Sequence, residues 1–234
     1  MQKERKIVII SGVSGNLGKS VALKFLEKDN FVIGFHSKRT DSQVLYQDFA
    51  HHVEKIAFFS CDITNEQEIS SIVRTIIEQY EKIDILCNLA GLYIPKMKIE
   101  NVKMEDWENS FSVNLTSIFI TTKNVLPFMK SAKYGRIINI SAMPGVKVEE
   151  ERGAYGIAKS GVKYFTEMVA KELKSETNSD ITINAIAPGI ISENTSDSST
   201  GNVSKADIAE MILYLCSENA KTINGSTINM FGNL

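Results

Sequence analysis

Tyr155 and Lys159 stand four residues apart, in a run that continues with apolar residues at Val162, Phe165, Val169 and Leu173. That spacing is helical, so the two side chains share one face about a turn apart. A phenol with a pKa near ~10 is a poor acid or base at neutral pH. An ammonium group held nearby favours the phenolate and lowers that pKa, which would make Tyr155 usable in proton transfer. Taken alone, the pair is also what any helix with a Tyr and a Lys displays, so its meaning depends on what the rest of the chain places around it.

The start of the chain supplies a binding partner for such a pair. Lys6 to Ser11 is a short β-branched run suited to a buried parallel strand. It leads into Ser11-Gly12-Val13-Ser14-Gly15-Asn16-Leu17-Gly18 and then into a helical pattern through Val21, Ala22, Phe25 and Leu26. Strand, glycine turn and helix N-terminus form an anion site. The glycines let backbone turn tightly against a pyrophosphate, and the helix end offers free N–H groups and a positive dipole. Dinucleotide binding is the expectation.

A second strand, Phe31 to Phe35, ends in His36-Ser37-Lys38-Arg39. An acid at this place accepts from the ribose 2′-hydroxyl of NAD, whereas a basic group suits a 2′-phosphate. No acid occurs before Asp41, so Ser37, Lys38 and Arg39 favour NADP over NAD.

Composition sets outer bounds. The chain has 234 residues, 43% of them apolar and 23% charged, enough for one domain with a sizeable core. A net charge of −2 gives no general pull toward nucleic acid or anionic membrane. No apolar run approaches the ~18 residues that span a bilayer, and the four apolar residues after MQKERK are too few for a signal-peptide core. Cys61, Cys87 and Cys216 lack metal-ligand spacing and read as buried, reduced thiols; no metal site is expected. A soluble cytoplasmic protein is the expectation.

The remaining pattern alternates. Strands are expected over Val53–Ser60, Ile83–Asn88, Arg136–Ser141, Ile181–Ile186 and Ser226–Met230. Helices are expected over Glu66–Tyr80, Met104–Lys130, from the Tyr155 region onward, and over Lys205–Cys216. Such alternation calls for an α/β fold: a doubly wound parallel sheet of about seven strands with helices on both faces, as one domain over 1–234. The stretch Ser192–Asn202 is nearly all polar and has the composition of a mobile loop; residues 190–203 are expected to form a short polar substrate loop.

With these residues in view, the chain resembles the short-chain dehydrogenase/reductase family over its whole length, and in general appearance the 3-oxoacyl-carrier-protein reductases. The resemblance rests on Ser11-Gly12…Gly15…Gly18, Asp62-Ile63, Asn88-Leu89-Ala90-Gly91, Asn114, Gly135 to Ser141, Tyr155…Lys159, Asn184 to Gly189, and Ile223-Asn224-Gly225. It implies a Rossmann fold and roles residue by residue. Tyr155 would give a proton to a carbonyl oxygen whose carbon receives hydride, and Lys159 would lower the Tyr155 pKa and hold the nicotinamide ribose. Asn114 would anchor a water linking Lys159 to solvent. Asp62 would meet adenine, with Ile63 beside it, while Asn88, Ala90, Gly91, Pro188, Gly189 and Ile191 would line the cofactor. A homotetramer or homodimer acting on a small-molecule substrate is also implied.

The sequence departs from the family at three places. Asn16 stands where many relatives have glycine, which Asn tolerates because it accepts positive φ better than most residues. The family's catalytic Ser lies thirteen residues before its Tyr, and here that position is Ala142. Losing such a donor can cost on the order of ~3–4 kcal/mol of transition-state stabilisation. Ser141 is adjacent, but side chains alternate along a strand, so it could serve only if the chain bends there. Third, Ile190-Ile191-Ser192-Glu193 follows Gly189 where relatives place a Thr. Three readings stay open: a carbonyl/alcohol oxidoreductase, a dihydropteridine-reductase-like enzyme reducing a C=N system, and a cofactor-binding sensor or partner subunit.

Overall fold

Strand β1 (Ile7–Ser11) is buried along its full length, as a central strand covered on both faces must be. The structure is a computed structural model that describes residues 5–175, 178–192 and 202–232. After β1 come α1 (Asn16–Glu27), β2 (Phe31–His36), α2 (Ser42–Asp48), β3 (Ile56–Ser60), α3 (Glu66–Tyr80) and β4 (Ile85–Asn88). Then follow α4 (Met104–Phe111), α5 (Ser117–Ala132), β5 (Tyr134–Ile140), α6 (Gly153–Leu173) and β6 (Asp180–Pro188). The described chain closes with β7 (Ile190–Ser192), β8 (Asn202–Ser204), α7 (Lys205–Leu215) and β9 (Thr227–Met230).

Seven strands form one sheet in the order β3-β2-β1-β4-β5-β6-β9, every pair parallel. This is the single-domain doubly wound fold expected from the alternating pattern. The period of two along β1 divides its side chains between two cores. Val8 and Ile10 pack with Phe25 and Leu26 of α1 and Ile212 of α7. Ile7 and Ile9 pack on the other face with Ile69, Val73 and Ile76 of α3 and Met129 of α5. Because β1 lies between β2 and β4, the chain winds outward in both directions from this point. The crevice there, at the carboxyl ends of the strands, is where this architecture binds ligands.

Several boundaries differ from expectation. Residues Ala50–Lys55 are tight helical turns, and β3 starts only at Ile56. The register pairs Val32 with Ile56, so Lys55 falls opposite Phe31, the first residue of β2, and the residues before it have no strand to join. Helix α2 was not expected; Asp41 caps it by accepting from the Gln43 N–H at 2.8 Å. The single helix expected over Met104–Lys130 is two helices joined by a wide π-helical turn, Ser112–Thr116, where the Ser117 N–H reaches back to the Ser112 carbonyl. Such turns often occur at functional sites, and this one carries Asn114. The ends of the expected polar loop form the short parallel pair β7–β8, while residues 193–201 lie outside the described residues. All three cysteines are free and buried, and burial pushes the Cys61 thiol up to about 12.

Candidate active site

The glycine loop is shaped by contact with the loop after β4. Gly12 has φ +72°, and a Cβ there would stand 2.8 Å from both the Cα and the N of Ala90. Only glycine fits that backbone and that gap. Gly18 lets α1 begin against the same loop, since a Cβ on it would meet Val13 Cα at 2.8 Å. Gly15 caps α1 in extended conformation with no side chain bonded to the helix end. The first turn, Asn16 to Gly18, exposed at Asn16 and buried by Gly18, thus presents backbone N–H groups and the positive end of a helix dipole to the crevice. That cradle fits a pyrophosphate. Asn16 is the first helical residue and is not among the positive-φ positions, so the tolerance expected of it is not needed.

Two residues expected to line the cofactor have buried side chains committed elsewhere. The Ser11 hydroxyl accepts from the N–H groups of Leu89 (3.1 Å) and Ala90 (3.2 Å), tying the β1 and β4 loops together. The Asn88 carboxamide donates to Asn139 Oδ1 at 2.9 Å and accepts from Thr121 Oγ1 at 2.7 Å. It braces β4 against β5 and α5. Both hold the crevice in shape from behind it.

At the far end of the crevice Ser37, Lys38 and Arg39 are exposed past β2. His36 is not part of that basic turn; it is buried in the strand, its ring bonded to Ser37 O at 3.0 Å and Ser42 Oγ at 2.8 Å. Lys38 is not a lone cation either, because its Nζ pairs with Glu68 Oε2 at 3.0 Å. The same oxygen accepts from the Asp62 N–H at 3.3 Å. The Asp62 carboxylate accepts from the N–H and hydroxyl of Thr64, which hold it below the usual range. Ile63 is partly buried against the α3-side core.

The chemistry-bearing groups converge beside Gly91. A Cβ built on Gly91 would lie 3.3 Å from Asn114 Oδ1 and 3.7 Å from Lys159 Nζ. Asn114 is fully buried, and its carboxamide brackets Leu92: Oδ1 accepts from the Leu92 N–H at 3.0 Å and Nδ2 donates to the Leu92 carbonyl at 2.8 Å. Its side chain therefore fixes the loop after β4. Lys159 is 3% exposed, donates to the Ile140 carbonyl at 2.9 Å, and is held down to about 8 by burial. Its Nζ stands 5.9 Å from the Tyr155 ring centroid.

The Tyr155 phenol departs from expectation in direction. Burial holds it above its usual range, and the influence that lowers it is the Arg152 guanidinium, not Lys159; Tyr93 and Glu149 add to the rise. Arg152, Tyr155 and Lys159 share the 3/4 spacing of one helix face, so Arg152 was legible in the sequence as a member of the group. Tyr93, whose ring centroid is 6.1 Å from that of Tyr155, carried no such signal.

Ser141 does not enter this cluster. Its hydroxyl donates to the Lys159 backbone carbonyl at 2.8 Å, and the residue is 1% exposed. The pleat runs on past Asn139, which reaches Thr166 of α6 from the same side, so the bend that would turn Ser141 toward Tyr155 does not occur. Ala142 follows in extended backbone and contributes only a methyl. Pro188 ends β6 on the same edge of the sheet, Gly189 donates its N–H to the Met230 carbonyl at 2.8 Å, and Ile190 and Ile191 are exposed beyond it. Among the described residues no group of His, Cys, Asp and Glu is arranged to hold a metal ion.

Comparison with known proteins places this geometry in a wide group. The chain is 27% identical over 248 aligned positions to the 3-oxoacyl-acyl-carrier-protein reductase FabG of Thermotoga maritima, covering 100% of this chain and 99% of that one. It is 28% identical to FabG of Vibrio cholerae, with 100% and 99% coverage. The solved structure of ElxO with NADP bound superposes with a TM-score of 0.88 at 26% identity, covering 97% of each chain. Residues 6–203 match the family model described as short chain dehydrogenase, and the chain belongs to that family of oxidoreductases.

Proposed function

We propose that the protein is an NADP-dependent oxidoreductase that interconverts a carbonyl compound and its alcohol, with Tyr155 as the proton-transfer group. The observation that carries this reading is the convergence of Lys159 and Asn114 beside Gly91 at the carboxyl edge of the sheet, with the Tyr155 ring centroid 5.9 Å from Lys159 Nζ. Support comes from the glycine cradle, from the FabG relatives named as 3-oxoacyl reductases, and from ElxO, solved with NADP. The backbone of Gly12 to Gly18 would hold the pyrophosphate, Lys38 and Arg39 the 2′-phosphate, and Asp62 the adenine end. Ala90, Gly91, Pro188, Gly189 and Ile191 would line the nicotinamide end. When bound, the dinucleotide supplies or accepts hydride at the substrate carbon.

The residues of this chain supply the rest. In reduction Tyr155 gives its phenolic proton to the substrate oxygen, and in oxidation it takes the proton back. The Lys159 ammonium, held near the ring in a buried site, favours the phenolate that forms. A phenol that resists ionisation before the reaction keeps its proton until substrate is present, so the raised Tyr155 suits an acid in the reductive direction. Ala142 occupies the place of the usual catalytic Ser. A small-molecule substrate and a homo-oligomer packed through the long helices α5 and α6 belong to the same reading; Phe119, Tyr164 and Met168 leave apolar surface exposed on those helices.

The test is NADPH oxidation with a panel of ketones, diketones and a quinonoid pterin. Tyr155→Phe is expected to lower turnover by roughly 10²–10⁴-fold. Tight NADPH binding by the wild type with no turnover on any compound would refute the proposal. Turnover of the quinonoid pterin alone would favour C=N reduction, a reading supported by Ala142, since a C=N substrate does not need a clamp on a carbonyl oxygen.

A further inference from the structure

In carbonyl reduction negative charge develops on the substrate oxygen, and one donor fewer at that oxygen is costly. Tyr155 supplies one donor. The neighbouring hydroxyl and carboxamide are already engaged. The Ser141 hydroxyl is bonded to the Lys159 carbonyl, and the Asn114 carboxamide to both backbone groups of Leu92. Arg152 Nη1 donates to the Ile94 carbonyl at 3.1 Å, while its Nε is buried 3.7 Å from Glu149 Oε2 without a hydrogen-bond partner. Ala142 has no donor to give.

Tyr93 is differently placed. It is 62% exposed, an unusual position for a ring held by its surroundings on several sides. Its backbone neighbours are both clamped by side chains of the catalytic cluster: Leu92 by Asn114, and Ile94 by Arg152. The Arg152 guanidinium stands 5.0 Å from the Tyr93 ring centroid, within cation–π range, and the Tyr93 and Tyr155 rings lie 6.1 Å apart at 58°. Neither phenol hydroxyl has a hydrogen-bond partner among the described residues. Two unpaired phenols thus sit side by side at the mouth of the crevice, one on α6 and one on a pinned loop.

We propose that Tyr93 is a catalytic residue whose hydroxyl donates a second hydrogen bond to the substrate oxygen, supplying from the loop after β4 what Ala142 cannot supply from the end of β5. The proposal rests on the carbonyl reading above. In the step, a C–H bond forms at the carbonyl carbon with hydride from a reduced nicotinamide dinucleotide, which is oxidised. The C=O π pair moves to oxygen, and oxygen takes the Tyr155 proton. Tyr155 is left as phenolate beside Lys159 until a proton returns from solvent. Tyr93 keeps its proton throughout and only shares it, so its contribution falls on turnover more than on ground-state binding.

The test compares wild type, Tyr93→Phe, Tyr155→Phe, Ala142→Ser and the double variant Tyr93→Phe/Ala142→Ser with NADPH and a carbonyl substrate that wild type reduces. Tyr93→Phe keeps the ring on Arg152, so the fold and KM are expected to hold while kcat falls roughly 10²-fold. Restoring a donor with Ala142→Ser in the Tyr93→Phe background should recover at least tenfold of that loss, and more than it gains in the wild-type background. Wild-type kcat in Tyr93→Phe, with Tyr155→Phe inactive in the same assay, would overturn the role of Tyr93 and leave the carbonyl reading standing. A wild type that reduces no carbonyl compound would overturn both. Spectroscopic titration gives a readout independent of turnover: Tyr93→Phe should lower the tyrosinate midpoint assigned to Tyr155 by difference from Tyr155→Phe. An unmoved midpoint would show the two hydroxyls too far apart to share one oxygen.

Discussion

Burial of the Lys159 ammonium has a consequence for stability that Lys159→Met exposes. The ammonium is 3% exposed, and burial takes its pKa from 10.5 to about 8. A change of that size disfavours the charged form in the folded protein by roughly 3 kcal/mol, at ~1.4 kcal/mol per tenfold. Met fills similar volume without charge, so it removes this penalty but leaves the Ile140 carbonyl, now served at 2.9 Å, without its donor, at about 1–3 kcal/mol. The variant at pH 7 should therefore be no less stable than wild type, and by up to about 2 kcal/mol more stable, while losing activity.

The dependence on pH is the sharper observable. Between the folded pKa of about 8 and the unfolded 10.5 the unfolded chain binds more protons at this site, so wild-type stability rises with pH relative to the variant. Below the folded pKa both states hold the proton and the full penalty stands. Urea unfolding at pH 7, 8, 9 and 10, followed by circular dichroism without cofactor, should show the difference moving in favour of wild type by roughly 2 kcal/mol across the upper part of the series. Other groups that titrate there, such as Cys61, cancel because both proteins contain them. Parallel stability curves for the two proteins would refute the reasoning.

Three other perturbations test neighbouring parts of the crevice. Lys38→Ala/Arg39→Ala should weaken NADPH binding without weakening NADH binding, measured by fluorescence titration; equal affinities before and after would remove both from the 2′-phosphate site. Glu68→Gln should do the reverse and favour NADPH, because the carboxylate now 3.0 Å from Lys38 competes for that cation; the gain should shrink with added salt. Ser11→Ala leaves the Leu89 and Ala90 N–H groups unpaired, costing about 2–4 kcal/mol. At ~2–4 °C per kcal/mol for a chain of this size the melting temperature should drop visibly, and an unchanged value would show the loops held by other contacts.

Local pattern made part of this legible beforehand. The strand runs and the 3/4 spacing of α3 and α6 follow from contiguous residues, and so does the glycine turn. Boundaries failed where pairing partners decided them. Val53 to Lys55 look like a strand extension, but the register between β2 and β3 begins at Ile56. The wide turn at Ser112–Thr116 leaves the Met104–Lys130 apolar pattern unbroken, so nothing in the periodicity revealed it.

At the site the division is sharper. The Tyr155–Lys159 spacing is a property of one helix, and a glycine turn between a strand and a helix is read from contiguous residues, so the sequence by itself determined both; that Gly12 must also clear Ala90 is tertiary. The absence of a Ser at position 142 is likewise read directly. Only the tertiary structure decided that the Ser141 hydroxyl is spent on the Lys159 carbonyl, and that Asn114 holds Leu92. It alone decided that Glu68, 30 residues away in sequence, sits on Lys38, and that Tyr93 stands beside Tyr155. Helical spacing and backbone conformation are set within a few residues, whereas a hydrogen-bond partner or a shift in acidity depends on which groups the packed sheet and helices bring within a few ångströms.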